Sequence, residues 1–354
     1  MLIVIASVSI LYVVLISKAN LLDGKISFFK TYPHVVVETI WTEYRSKIQK
    51  DGRTIDRDRN YLTTSEGQSY SLLRAVWMDD KETFDRVLNW TNHNLRKRPN
   101  DKLFAWLWGK NTNNQWDIMY NDGGINTASD ADQDIALALI FANKRWNQDH
   151  YLNQARQILD DIWSEEVMII HEKPYLVAGN WANDEQTPTI NPSYFSFAAY
   201  PIFAEVDPAH PWMMLKETSY AILNETETKK LDTKISAKLP PDWVSLDLEV
   251  GSIVQPYHQD KTTNFSDDAF RVLWRVALDL EWHRDPRAKK YLASQVKFFE
   301  TEWEQKGKIY NTYTHAGESL STHESASLYA TIASSFISVN QEFARDVFET
   351  KVAG

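Results

Sequence analysis

The feature that most restricts the fold of this chain is a coarse repeat of paired helical segments. Apolar residues at helical spacing predict helices over 35–50, 66–78, 80–97, 130–146, 151–166, 193–205, 211–225, 267–282, 286–305, 323–338 and 341–351. In the third of these, Phe84, Val87, Leu88 and Leu95 recur on one face. Helix starts near 66, 130, 193, 267 and 323 return every ~55–75 residues, and a second helix follows most of them. Such an alternation predicts helical hairpins closed into a ring, with alternate helices inside and the inner helix starts opening on one end. Six hairpins need twelve helices and eleven are read, so one short or atypical helix is expected in addition.

Between the helices lie aromatic-rich stretches such as LFAWLWGKNTNNQWDIMYNDGG, HEKPYLVAGNW and PPDWVSLDLEVGSIVQPYHQD. They are expected to form rim loops and small β-hairpins, and loops of that length in a compact domain usually carry function. No Gly/Ser/Pro-rich linker or charge block divides residues 27–354, which are expected to form one catalytic domain. Residues 1–26 are set apart as a signal peptide or N-terminal membrane anchor. The first 17 residues carry no charge, enough to span a bilayer, and Ser17-Lys18-Ala19 offers a small-x-small cleavage site. The expected location is therefore extracellular, or anchored to the outer face of a bacterial cytoplasmic membrane.

Composition narrows the partners. A net charge of −10 argues against nucleic acid and anionic surfaces, which need basic patches. With no cysteine, disulfides, thiolate metal sites and a cysteine nucleophile are excluded. The 14 Trp and 16 Tyr exceed ordinary use and suit stacking platforms for sugar rings. The histidines show no HExxH or His-x-His pattern, and no phosphate loop or Gly-x-Ser-x-Gly elbow is present, so no metal and no cofactor is implied.

Four polar residues fall at the repeating starts: Glu66, Asp130, Tyr194 and Asp268, separated by 64, 64 and 74 residues. For each alone, helix capping is the plainer reading. Four in register at one end of a ring point instead to a shared site. Gly67, directly after Glu66, is costly in a helix and suggests that a ligand approaches the backbone closely. Arg271 stands one turn beyond Asp268, where it either orients that acid or forms a plain intrahelical ion pair. Asp132 and Asp134 read as capping or solvated first-turn acids.

The stretch ASDADQDIALALIFANKRW, residues 128–146, resembles the signature of glycoside hydrolase family 8, the bacterial endoglucanase and chitosanase family. YLTTSEGQSY and FAWLWGK resemble segments of the family's endoglucanases that accompany bacterial cellulose synthases. The resemblance implies an all-α (α/α)6 barrel and an inverting mechanism. It makes Glu66 the general acid, Asp268 the general base with Arg271 its neighbour, and Asp130 the acid that binds and distorts the sugar. Tyr194 then helps hold the attacking water. An acid at a helix N-terminus is disfavoured, so Asp130 is expected to restore the proton on Glu66 by its charge. Of the alternating Trp106 and Trp108, Trp106 is expected to face the cleft; Trp181 is a second platform candidate. Tyr257 and His258 are rim residues for which an ordinary loop contact is the plainer reading.

The function so implied is endo-hydrolysis of a β-1,4-linked polysaccharide, with the cell's own biofilm exopolysaccharide, cellulose-like or amino-sugar-containing, as substrate. The alternatives are a secreted glucanase, xylanase or chitosanase acting on external polysaccharide, and a non-catalytic glycan-binding subunit of a synthase. An exopolysaccharide synthase complex is a candidate partner, and the chain is expected to be monomeric. A polysaccharide lyase fits poorly, because β-elimination needs basic neutralisers and this chain is acidic.

Overall fold

A computed structural model describes residues 33–353, except Asp184, Glu185, Thr187 and Thr233. The expected signal or anchor segment, 1–26, lies outside the described residues. Among those described, no helix is long and apolar enough to cross a membrane.

Eleven α-helices are present among the described residues, one for each expected segment: α1 Pro33–Arg45, α2 Ser65–Trp77, α3 Lys81–Asn94, α4 Ser129–Trp146, α5 Asp149–Glu165, α6 Tyr200–Val206, α7 Trp212–Thr226, α8 Arg271–His283, α9 Pro286–Lys306, α10 Ala326–Phe336 and α11 Gln341–Lys351. They form an all-α barrel of the (α/α)6 type, in which five hairpins run from α2–α3 to α10–α11. Helix α1 stands outside this pairing and packs on the first hairpin. Its Trp41 donates to Asp80 at 3.2 Å, and Tyr44 shares a 3.0 Å hydrogen bond with Ser71.

The division into inner and outer helices follows from sequence. Helices α2, α4, α8 and α10 are buried almost all round, polar residues included. Helices α3, α5 and α11 bury one apolar stripe and leave the rest to water, as surface helices do. Inner helices lie side by side: α2 against α4, and α8 against α10.

Eight short strands sit at the rim. β1 Thr63–Thr64, β2 Leu107–Lys110 and β3 Trp116–Ile118 form one antiparallel sheet. β4 Val167–Ile170 and β5 Lys173–Leu176 form a hairpin, and β6 Thr189–Ile190, β7 Val244–Asp247 and β8 Ser252–Val254 form a second three-stranded sheet. Of these, β2 and β3, β5, and β7 and β8 fall in the three aromatic-rich stretches singled out from sequence.

Two helix starts differ from expectation. The helix predicted over 193–205 begins only at Tyr200, because Asn191 caps a separate 3-10 turn, Pro192–Tyr194, and Phe195 is extended. The helix predicted from 267 begins at Arg271, since residues 266–269 are held as a turn.

Candidate active site

The rim elements deliver their side chains to one cleft of about 410 Å3, a size suited to an organic ligand. Thr64 ends β1 and caps α2, accepting from the Gly67 amide at 3.1 Å, which sets Glu66 in the first turn. The Ser65 amide donates to the Trp106 carbonyl at 3.0 Å, so the strand that starts the helix also places Trp106 beside Glu66. Trp106 is steadied by its indole N–H, which donates to the Gly123 carbonyl at 3.0 Å. Across the cleft, Trp181, Tyr194, Trp243, His258, Lys261 and Asp268 complete the walls.

The sequence expectation that Glu66, Asp130, Tyr194 and Asp268 converge is met, though at different depths. Glu66, Tyr194 and Asp268 line the cleft, while Asp130 is 1% exposed and lies beneath it. Arg271, also buried, joins the two aspartates. It donates from Nη1 to Asp130 and from Nη2 to Asp268, both at 2.6 Å, and Nη1 lies 3.4 Å from the Tyr70 hydroxyl. Its guanidinium also stands 5.3 Å from the Tyr194 ring centroid. Arg271 is therefore neither a plain intrahelical pair nor a cleft-wall residue; it is a buried bracket that fixes two carboxylates at once. Asp130, with one oxygen on Arg271 and the other accepting from Ala131 N at 2.9 Å, acts on the cleft through its charge in this arrangement.

Electrostatics separate the two cleft carboxyls. Burial, reinforced by the nearby negative charge of Asp130, pushes the Glu66 carboxyl up to about 7. Burial is the larger cause, so the proton that Asp130 was expected to restore is owed first to desolvation. Tyr194 is likewise held well above the ordinary tyrosine range by burial and then by Asp130 and Asp268, which keeps its hydroxyl a donor. Asp268, by contrast, keeps a one-third exposed side chain against a guanidinium, the setting of a carboxylate.

Other expectations resolve clearly. Trp106 lines the cleft and Trp108 does not: Trp108 stacks on Trp116 at 5.1 Å, meets Trp90 edge-on, and lies under Arg53. Trp181 lines the cleft, edge-on to His258 at 5.8 Å; His258 is thus a cleft residue, while Tyr257 is exposed and outside it. At Gly67 the missing Cβ faces the protein, not the cleft. A Cβ there meets Thr64 and Thr54 at 3.5 and 3.9 Å, ordinary contacts with the protein itself.

The reading of Asp132 and Asp134 as capping or solvated acids is overturned, since both are buried and neither caps α4. Asp134 receives both arms of Arg275, at 2.5 and 2.8 Å. Asp132 accepts from Phe104 N at 3.0 Å and sits near Glu166, whose charge and its own burial hold its carboxyl well above the usual range. Sequence reasoning also missed Tyr70, Asp242, Trp243 and Lys261. Trp243 meets Tyr194 edge-on at 5.9 Å, and Lys261 lies over its ring at 4.4 Å. The signal available was Asp-Trp within a stretch already read as a rim loop.

With the site in place, kinship follows. The chain matches the description Glycosyl hydrolases family 8 over residues 26–353. Endoglucanase A of Acetivibrio thermocellus is 30% identical over 325 residues, covering 88% of this chain and 63% of that protein. An endoglucanase of Escherichia coli (strain K12) is 32% identical over 244 residues, covering 67% of this chain and 61% of that protein. The chain thus spans about three fifths of the length of these curated relatives. Among solved structures, the endo-1,4-D-glucanase from Vibrio fischeri ES114 is similar with a TM-score of 0.72 at 25% identity, covering 87% of each chain. The chain belongs to glycosyl hydrolase family 8.

Proposed function

We propose that this protein is an inverting endo-hydrolase of β-1,4-linked polysaccharide. The observation that carries the reading is a single aromatic-walled cleft holding two carboxyls in opposite states. Glu66 is kept protonated near neutrality by burial and Asp130, and Asp268 is clamped as a carboxylate by Arg271. That is the division of labour inverting hydrolysis needs. Glu66 gives its proton to the glycosidic oxygen as that bond breaks. Asp268 takes a proton from a water, whose oxygen bonds to the anomeric carbon from the opposite ring face. Tyr194, which feels the charge of both acids, holds that water, and Trp106 and Trp181 in the cleft wall offer platforms for sugar rings. Solvent then exchanges the proton gained by Asp268 for the one lost by Glu66.

The test is hydrolysis of soluble β-1,4-glycans followed by proton NMR of the first products. The expected result is release of new reducing ends with inverted anomeric configuration. Glu66→Gln and Asp268→Asn are each expected to lower kcat by about a thousandfold or more with oligosaccharide binding retained. Products of retained configuration, or a Glu66→Gln variant within tenfold of the parent, overturn the reading.

As substrate we propose an exopolysaccharide of the cell's own matrix, with glucose or amino-sugar units. Supporting it are the motifs similar to synthase-associated endoglucanases and the uncharged run 1–17, which favours action outside the cytoplasm. The cleft also carries Glu66, Asp122, Asp260 and Asp268 against Lys261 and His258, a balance that accepts neutral or cationic sugars. Mass spectrometry of oligosaccharides released from host matrix tests this, with xylan as comparator; no release from the matrix, or faster cleavage of xylan, overturns it.

A further inference from the structure

The turn that carries Asp268 is not self-supporting. It spans residues 266–269, ahead of α8, and its two ends are held by one buried side chain from another part of the rim. Asp242 Oδ1 accepts from Ser266 N at 3.1 Å and from Ala269 N at 2.8 Å, and its Oδ2 accepts from the Ser266 hydroxyl. Asp267 and Asp268 lie between those two attachment points. The Asp242 backbone is tied in turn to the same loop, since its amide donates to the Asn264 carbonyl at 2.6 Å and Trp243 N donates to Thr262 at 3.0 Å.

The next residues face the other way. Trp243 meets the Tyr194 ring edge-on at 5.9 Å. β7 follows directly, and its Val244 pairs with Ile190 of β6, the strand that leads through Asn191 into the turn bearing Tyr194. One dipeptide, Asp242-Trp243, therefore touches the base-carrying turn with its first side chain and the tyrosine with its second. A shift of either turn alone breaks contacts to that dipeptide.

We propose that Asp242 is the positioning residue for Asp268, setting the base in register with Tyr194. The inference rests on the assignment of Asp268 as the base. Asp242 itself touches no cleft ligand: it is 5% exposed and absent from the cleft wall. The charged groups around it are Asp268 and Asp267 in the turn, Arg271 at the head of α8 and Lys261 above Trp243. Burial, and then the charge of Asp268, push the Asp242 carboxyl up to about 7.

The experiment compares Asp242→Asn and Asp242→Ala with the parent, on whichever β-1,4-glycan is cut fastest. Asparagine keeps an acceptor for the two amides but turns a donor toward the Ser266 oxygen, so the turn is held with one altered attachment. Its expected signature is an unchanged Tm, KM within about twofold, and kcat lowered about three- to tenfold. The acid limb of its kcat profile stays at the parent's pH, because the Asp242 carboxyl, pushed up to about 7, already bears its proton there. Alanine frees both ends of the turn, and kcat is expected to fall about a hundredfold with KM changed far less. A purely structural role predicts activity lost only in proportion to folded protein in both variants; that result overturns the inference, as does a KM that rises as steeply as kcat falls. If alanine does not fold, the asparagine variant decides alone. Asp268→Asn separates the two claims: if it stays active, the assignment of the base fails whatever the Asp242 variants do. If it is inactive while both Asp242 variants match the parent per folded molecule, only the role of Asp242 fails.

Discussion

Two faces of one helix start hold the same residue type and treat it in opposite ways. Asp130 and Asp134, four apart on α4, meet Arg271 and Arg275, four apart on α8, so two ion pairs stack like rungs between two inner helices. Asp132, between them in sequence, turns away toward Glu166. No cation is free for it there: Arg98, the nearest basic group acting on it, is committed to Asp101 through three short hydrogen bonds. Burying a charge is affordable only with a matched and hydrogen-bonded partner; otherwise the group keeps its proton. Asp130 and Asp134 are held in ion pairs beneath the cleft, where the charge of Asp130 raises Glu66. Burial pushes the Glu166 carboxyl up to about 8 despite the Thr127 hydroxyl it accepts, and the Asp132–Glu166 side is proton-bearing at neutral pH.

The largest effect that this contrast predicts is on the paired side. Arg275→Met leaves Asp134, 1% exposed, as a buried acid with no cation. The expected cost is about 3–5 kcal/mol of unfolding free energy, measured by denaturant titration at pH 7. Adding Asp134→Leu to Arg275→Met should restore most of it, since the penalty comes from the stranded charge and not from the loss of a bridge as such. A double variant no more stable than the single one breaks this account.

On the unpaired side the sign reverses and depends on pH. Glu166 has a folded-state value near 8 against an ordinary 4.5, so folding favours its protonated form. That stability is complete below about pH 4.5 and is lost as pH rises toward 8. Glu66 and Asp242 act in the same direction. The protein is therefore expected to lose stability between pH 5 and 8. Glu166→Gln, which still accepts from Thr127, should lose less across the same window, with the difference growing by on the order of 1 kcal/mol per pH unit. Parallel stability curves for parent and variant sink the claim that Glu166 is proton-bearing.

The contrast also explains what was legible beforehand. The hairpins were legible because a 3.6-residue apolar period is local, and so were the convergent Glu66, Tyr194 and Asp268 and the choice of Trp106 over Trp108. The fates of the three aspartates were not. A first-turn acid looks like a response to its own helix, whereas the arginines that claim Asp130 and Asp134 stand 141 residues away. Matching four-residue spacings, Asp130/Asp134 and Arg271/Arg275, were the only trace of that pairing. The two misplaced helix starts have the same origin: Asn191 and Asp242 hold turns in segments whose periodicity reads as helix. Asp242 lies in a loop with no period at all.

The smallest effect concerns the start of α2, which packs beside α4 in the inner ring. Gly67 was expected to leave room for a ligand, yet its missing Cβ points at Thr64 and Thr54 and not into the cleft. Its backbone is helical, and its amide bond to Thr64 does not depend on the side chain. Gly67→Ala should then raise stability by roughly 0.5–1 kcal/mol, by restricting the unfolded chain and filling ordinary contact space. KM and kcat should stay within about twofold, because Glu66 keeps its place one residue earlier. The two readouts separate the readings cleanly: a stabilised variant with unchanged KM makes Gly67 a tolerated cost of the helix start. A stabilised variant whose KM rises severalfold means the glycan does lie against this backbone, and the start of α2 would then be shaped by substrate in the way the start of α4 is shaped by its arginines.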